Sequence, residues 1–310
     1  MLDAEFTTPG PTSDARIPAY LEALGIPGLA DVHVHFMPQN VLSKVWGFFD
    51  RVGEEFGAAP WPIHYRMPEA ERVQTLRALG VAAYPTLNYP HRAGMAGWLN
   101  EYSAGFAAAH PQAVPSATFF AEPEAEATVR AALEGGARIF KVHVQVGEFA
   151  PDQGMLDGAW GLIEAAQVPV VIHAGSGPHG GTHTGPAPVR RLLEAHPRLV
   201  LVIAHAGMPE YAEFTDLAEE YPGVHLDTTM VGTDYSQALA PVPEAVLERW
   251  AAMPGKIVLG SDFPNIPHPY AHQLGALAAW GFGDSWMRAV LWENGARLMR
   301  VTGSRGVGGA

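Results

Sequence analysis

The chain has 310 residues, 48% of them apolar and none of them cysteine; it can bury one large core, while disulfides, thiolate metal sites and cysteine nucleophiles are excluded. A formal charge of −13 argues against nucleic acid or an anionic membrane surface as a partner. Segment 1–16 has no basic start followed by an apolar run, and apolar stretches such as 199–204 are far too short to span a bilayer, so the expectation is a soluble, cytoplasmic protein.

Residues 1–15 are expected to be disordered. The first short apolar run, 28–35, ends in Asp31-Val32-His33-Val34-His35. The stretch 36–61, rich in Phe, Trp and Gly, is too long for a minimal strand-to-helix loop and is expected to form a lid insertion over the mouth of the fold. After His64-Tyr65-Arg66, a Pro–Glu start and a glycine stop predict a helix over 68–80. A second apolar run, 81–87, leads to His91 and Arg92. A third, 113–120, precedes a predicted helix over 123–136, and a fourth, 137–144, carries Lys141 and His143. The fifth run, 168–175, holds His173 and opens into a glycine-rich loop, 176–186, that brings His179 and His183 over the same strand end. The sixth, 199–207, holds His205; the seventh, 224–230, holds Asp227; a helix is expected between Pro243 and Pro254; the eighth run, 256–263, holds Asp262. A last helix over 283–300 includes Asn294, expected to tie that helix to the barrel, and the tail 303–310 is expected to be disordered. Two helices end in Ala-His-Pro, at His110 and His196, where the histidine can cap the last carbonyls and the proline stops the helix.

Eight β-branched runs alternating with helical segments define an α/β chain, and eight is the number that closes a single (β/α)8 TIM barrel, here spanning 16–302 without an internal linker. In such a barrel the C-terminal strand ends converge on the face that carries active sites. Side chains alternate along a strand, so His33 and His35 share a face and can bind one divalent ion. His-X-His is a weak motif taken alone. His173, His205 and Asp262 strengthen it, because each follows four or more apolar residues and would otherwise be a costly buried polar group.

The segments DVHVH (31–35), WLNEYSAGFAAAHP (98–111), IFKVHV (139–144), VIHAG (171–175), IAHAG (203–207), HLDTT (225–229), GSDFP (260–264) and ENGARL (293–298) follow one another as in the amidohydrolase superfamily. The chain resembles its amidohydrolase-related branch, which includes aminocarboxymuconate semialdehyde decarboxylase and pyrone dicarboxylate lactonase. That resemblance implies a metal-dependent hydrolase type of barrel, with His33, His35, His173 and Asp262 as ligands of one divalent ion, usually zinc, manganese being the alternative. His205 and Asp262 would be the catalytic pair. Lys141 is open to three readings: substrate-anion binding, a structural ion pair, or carboxylation to bridge a second metal as in binuclear relatives. Lys141, His143, His179, His183 and Arg66 are the candidate substrate contacts, and Arg51 and Arg92 are further cations near predicted strand-end loops. A homodimer is the assembly the resemblance suggests.

Hydrolysis of an ester, lactone or amide carbonyl of a small molecule ranks first, since a divalent ion brings a water towards neutrality and Asp262 and His205 can handle its protons. Non-oxidative decarboxylation of a small unsaturated or aromatic acid ranks second, because it needs a cationic clamp and no arginine lies in a motif that aligns. A barrel that only binds metal or small molecules ranks third.

Overall fold

The computed structural model describes residues 6–56, 60–178 and 180–301. Among the described residues nine parallel strands run in chain order: β1 (Leu29–Ala30), β2 (Val81–Pro85), β3 (Ala113–Val114), β4 (Ser116–Thr118), β5 (Ile139–His143), β6 (Val170–His173), β7 (Leu201–Ile203), β8 (Val224–Asp227) and β9 (Ile257–Val258). β1, β2 and β3 form one sheet and β4 to β9 another, each in sequential order. β3 and β4 are two halves of one of the eight expected strands, separated at Pro115, which has no N–H to continue the ladder. The ends meet as well. Val32 N donates to Leu259 O (2.9 Å), Asp262 N to His33 O (2.8 Å) and His35 N to Phe263 O (2.7 Å), beside a parallel bridge between Val34 and Phe263. First and last strands are thereby joined, and the fold is the TIM barrel expected.

The helices are α1 (Ile17–Leu24), α2 (Gln39–Phe56), α3 (Glu69–Ala78), α4 (Ala96–Ala109), α5 (Ala125–Glu134), α6 (Val144–Gly147), α7 (Asp157–Ala166), α8 (Pro186–Ala195), α9 (Tyr211–Glu220), α10 (Asp234–Leu239), α11 (Glu244–Ala252), α12 (Tyr270–Ala279), α13 (Asp284–Arg288) and α14 (Asn294–Leu298). α3, α5 and α11 fall inside the ranges predicted from their Pro–Glu starts. The last predicted helix is α13 and α14 joined by a π-helical stretch, Ala289–Glu293. Asn294 does tie it to the barrel, donating from Nδ2 to Pro254 O and Ile257 O, both at 2.8 Å. His110 and His196 occupy the helix C-caps; His196 Nε2 donates to Asp157 Oδ1 at 2.9 Å. No described helix is long and apolar enough to cross a membrane.

Strand alternation explains both the core and the site. Phe140, Val142, Val170, Ile172, Leu201, Ile203, Val224 and Leu226 join the large apolar cluster that contains helix residues such as Trp160, Leu192 and Phe214. The intervening Ile139, Val171, Val202 and Val258 belong to a second, smaller cluster. Continuing that second set towards the C-terminal strand ends gives Lys141, His143, His173 and Asp227. Period-two patterning thus delivers polar groups to the barrel mouth at the level where the apolar layers stop.

One expectation is corrected. Disorder over 1–15 does not hold for residues 6–15. Thr8 bonds to Asp284 through its N–H (2.6 Å) and hydroxyl (2.8 Å), and Asp14 accepts from Tyr65 Oη (2.5 Å) and Ala271 N (2.9 Å). These partners lie far along the chain, so composition gave no sign of them. The insertion expected over 36–61 is mostly α2, whose Val41, Val45, Phe48 and Phe49 repeat at helical spacing and line the cavity at the barrel mouth. The tail 303–310 lies outside the described residues.

Candidate metal centre

His33 and His35 leave β1 on one face, and their rings stand edge to face with centroids 5.1 Å apart. Each ring is oriented through Nδ1. His33 Nδ1 donates to Asp227 Oδ2 (2.8 Å), and His35 Nδ1 donates to Leu87 O (2.6 Å). Each ring therefore carries a proton on Nδ1, and both Nε2 atoms face inward. Asp262 reaches the same point: its Oδ1 is 2.9 Å from His35 Nε2 and 3.8 Å from His33 Nε2. Ligand atoms of His33, His35 and Asp262 all lie within 4.8 Å of one another. An imidazole lone pair and a carboxylate oxygen at 2.9 Å repel unless a proton or a cation sits with them. The donor set of two oriented imidazoles and a carboxylate therefore suits one divalent ion.

The electrostatics agree. Burial lowers the His33 pKa well below the usual histidine value, aided by the Lys141 charge; it does the same at His143 and His173, and it lowers His205 against the pull of Asp262 and Asp227. These rings are neutral near pH 7, the form that coordinates a metal. Burial pushes the Asp262 carboxyl up, but a proton shared with His35 Nε2 across the 2.9 Å contact outweighs it and holds the group below the usual carboxylate range.

His205 lies beside the triad, its ring centroid 5.3 Å from His33 and 4.8 Å from His173. Its backbone N–H donates to Asp227 Oδ1 (2.8 Å) and its Nδ1 to Thr229 O (3.2 Å), leaving the Nε2 lone pair unengaged. His205 (φ 54°) and Asp262 (φ 68°) are both left-handed, a conformation that costs a non-glycine residue on the order of 1 kcal/mol or more and concentrates at functional sites. Gly260 packs behind them; a Cβ there would stand 2.9 Å from His33 Cβ and 3.1 Å from the Asp227 carboxyl carbon.

The expected contacts divide. Lys141 is buried and its Nζ donates to His33 Nε2 (3.2 Å). Burial pushes its pKa down to about 8 against the pull of Asp227 and Asp262, so it is mainly an ammonium at pH 7. His143 pairs in register with His173, and their rings stack with centroids 4.0 Å apart. His173 stands outside the three-ligand cluster, its Nε2 facing Gly177 O at 3.4 Å. Arg66 is not in the cavity: it is exposed, ion-paired with Asp50 at 2.5 Å and set over the Trp46 ring. Its partner sits on α2, which was not foreseen as a helix. His183 does not line the cavity either, although Gly177, Pro178 and Gly180 of the same loop do; past them the chain turns locally, with Thr184 Oγ1 bonded to Gly181 N and O, both at 2.9 Å. His179 lies outside the described residues. His91 and Arg92 line the outer cavity.

Sequence reading missed Tyr89, whose ring meets His35 edge on at 5.7 Å and lies 4.8 Å from His143. It sits two residues beyond the second apolar run, after Asn88, so the rule that picked out His173 and Asp262 passes over it. Asp31, which shares the strand of His33, is structural. Its carboxyl accepts from Ser261 Oγ (2.5 Å), Tyr270 Oη (2.7 Å) and His33 N (2.9 Å).

A cavity of about 1450 Å³ opens over the triad, lined near its floor by His33, His35, Lys141, His143, His205 and Asp262.

A family model described as Amidohydrolase matches residues 30–301. No curated protein matches the chain in sequence. Among solved structures, an uncharacterized TIM-barrel protein from Bordetella bronchiseptica has a TM-score of 0.67 at 18% identity, covering 87% of this chain and 98% of that one. A 5-carboxyvanillate decarboxylase from Novosphingobium aromaticivorans, complexed with manganese and a nitrobenzoic acid, has a TM-score of 0.62 at 13% identity, covering 87% and 96%. A candidate 2-pyrone-4,6-dicarboxylic acid hydrolase from Pseudomonas putida has a TM-score of 0.56 at 17% identity, also covering 87% and 96%. At these identities the likeness is one of fold.

Proposed function

Given that the chain belongs to the amidohydrolase family, we propose that it is a metal-dependent hydrolase acting on an ester, lactone or amide carbonyl of a small molecule. His33, His35 and Asp262 would hold one divalent ion, with His173 as the further donor that the resemblance implies. Imidazole and carboxylate ligands suit zinc first and manganese second. The ion's chemical contribution is to polarise a water or a carbonyl at this point.

The chain's own groups supply the rest. The observation that carries the reading is the tautomer of His205. With Nδ1–H spent on Thr229 O and the ring held neutral by burial, Nε2 is a base that can take a proton from the attacking water. Asp262, ionised at neutral pH, is the second proton acceptor and can pass a proton to the leaving group. The Lys141 ammonium, buried beside His33, offsets negative charge on the carbonyl oxygen.

A second reading, non-oxidative decarboxylation, is favoured by that same buried cation, which could face a substrate carboxylate, and by the decarboxylase among the similar folds. Asp262→Asn tests the proposal against a panel of lactones and esters, with carbon dioxide trapped from aromatic and unsaturated acids in parallel. Hydrolysis by the native protein should fall at least ~100-fold in the variant, with loss of bound metal. Turnover unchanged in Asp262→Asn removes both readings, and carbon dioxide release without ester or lactone cleavage replaces the first by the second.

A further inference from the structure

The cavity is much larger than the chemistry at its floor requires. Its volume of about 1450 Å³ exceeds the ~300–1,000 Å³ typical of sites that enclose a drug-sized ligand, so a single-ring acid or small lactone at the triad would leave most of it empty. Above the triad the lining is largely apolar, with Lys44, His91, Arg92, Glu148 and Asp234 set among the hydrocarbon. One wall is a run of aromatic rings: Phe48 against Phe49 (5.7 Å), Phe49 stacked on Trp61 (5.6 Å) and Trp61 against Tyr235 (5.9 Å). Indole N–H bonds fix that wall from behind, Trp61 Nε1 to Asn265 O (2.7 Å) and Trp46 Nε1 to Asn265 Oδ1 (3.0 Å). Met95, Met208 and Met230 contribute flexible apolar surface.

The rim supplies a separate observation. Phe48 (39% exposed), Trp98 (42%), Val146 (37%) and Leu239 (55%) are exposed large hydrophobic residues, and all four line this cavity. They come from α2, α4, α6 and α10, elements far apart in sequence. Apolar residues from four elements gathered around one opening mark a binding surface rather than scattered exposure.

We infer that the ligand has an extended apolar body, a medium-length hydrocarbon chain or two aromatic rings, seated against this wall with its carbonyl end at His33, His35 and Asp262. The inference deepens the hydrolase reading by naming the substrate class, and it rests on that reading only for the carbonyl end.

Binding of unreactive methyl ketones to the purified protein, measured by calorimetry, tests it without turnover. Each methylene buried should tighten binding by about threefold to fourfold, so decanone should bind at least ~100-fold more tightly than butanone. Acetonaphthone, of similar size, separates a ring-bearing ligand from an alkyl one. Trp98→Gln with Leu239→Gln, both at exposed positions, should cut the decanone-to-butanone ratio by about tenfold, and Trp98→Leu should keep it. Met155→Gln alters an exposed apolar residue off the cavity and should leave the ratio unchanged. A flat series, or one equally steep in the Gln variant, overturns the inference even if the protein hydrolyses small esters. A dimer that dissociates in the Gln variant while the ketone series is unaltered assigns the rim to a second copy and also overturns it. If the series tightens as expected but no ester or lactone is cleaved, the hydrolase reading fails and the ligand class stands.

Discussion

Asp227 sets the chemical state of two histidines at once. Its Oδ1 accepts the backbone N–H groups of His205 (2.8 Å) and Thr229 (3.0 Å), and its Oδ2 accepts His33 Nδ1–H (2.8 Å). In Asp227→Asn the two backbone donors require an oxygen at the first position, which forces the amide NH₂ towards His33. His33 Nδ1 must then accept, and its proton moves to Nε2, the nitrogen that faces the centre. Metal affinity should fall ~10–100-fold in a protein that remains folded, measured by zinc titration against a competing chelator. Undiminished affinity would show that the ring's orientation does not depend on Asp227. The pairing of His33 with His35 was legible from alternation along a strand. Asp227 was legible only as a polar residue in the seventh apolar run, and the structure shows its carboxylate orienting a histidine and accepting two backbone amides at once. Arg66 was misplaced because its partner, Asp50, is sixteen residues away in sequence on a helix the glycine-containing segment did not announce.

β8 shows the same alternation with a different consequence at each end. Asp227 reaches the barrel mouth, and His225, two residues earlier on the same face, is buried with Nδ1 unpartnered. Burial, with the Arg297 and Lys256 charges, pushes its pKa down to about 3. The sign follows from linkage. Below an ordinary histidine value of ~6.5 the unfolded chain takes up a proton that the fold refuses, so this contribution to stability is complete above that pH and is lost as pH falls towards 3, at about 1.4 kcal/mol per pH unit. His225→Leu should flatten the dependence of urea-unfolding free energy on pH between 7 and 5, relative to the native protein, by about that slope below 6.5. Parallel profiles in the two proteins would contradict the assignment. At this scale the strands and the Pro–Glu helices were readable because their signals are local. The split at Pro115 was readable in principle, since proline interrupts a ladder. α2 was hidden by Gly47 and Gly53, although its apolar spacing was present.

Closure makes the barrel one cooperative unit. The hydrogen bonds between the first and last strands also position Asp262, whose backbone N–H donates to His33 O (2.8 Å), so the contacts that close the ring also place a member of the triad. The N-terminal segment braces the seam: Asp14 links Tyr65 and Ala271, and the Tyr65 hydroxyl accepts from Tyr270 N (2.6 Å). Asp14→Ala should lower unfolding stability by ~1–3 kcal/mol, measured by chemical denaturation; an unchanged midpoint would make the brace incidental. What the amino-acid order determined by itself was periodic and local: eight apolar runs, their alternation with helices, and polar side chains at the ends of several runs. Those patterns imply a barrel and a polar mouth because strand geometry repeats every two residues and strand ends of a closed sheet converge. What only the tertiary structure decided were relations between residues far apart in sequence: His33 with Asp227 across 194 positions, His173 stacked on His143 rather than clustered with the triad, and an apolar wall assembled from separate helices. Such pairings depend on how completed elements pack, and no stretch of sequence contains both partners.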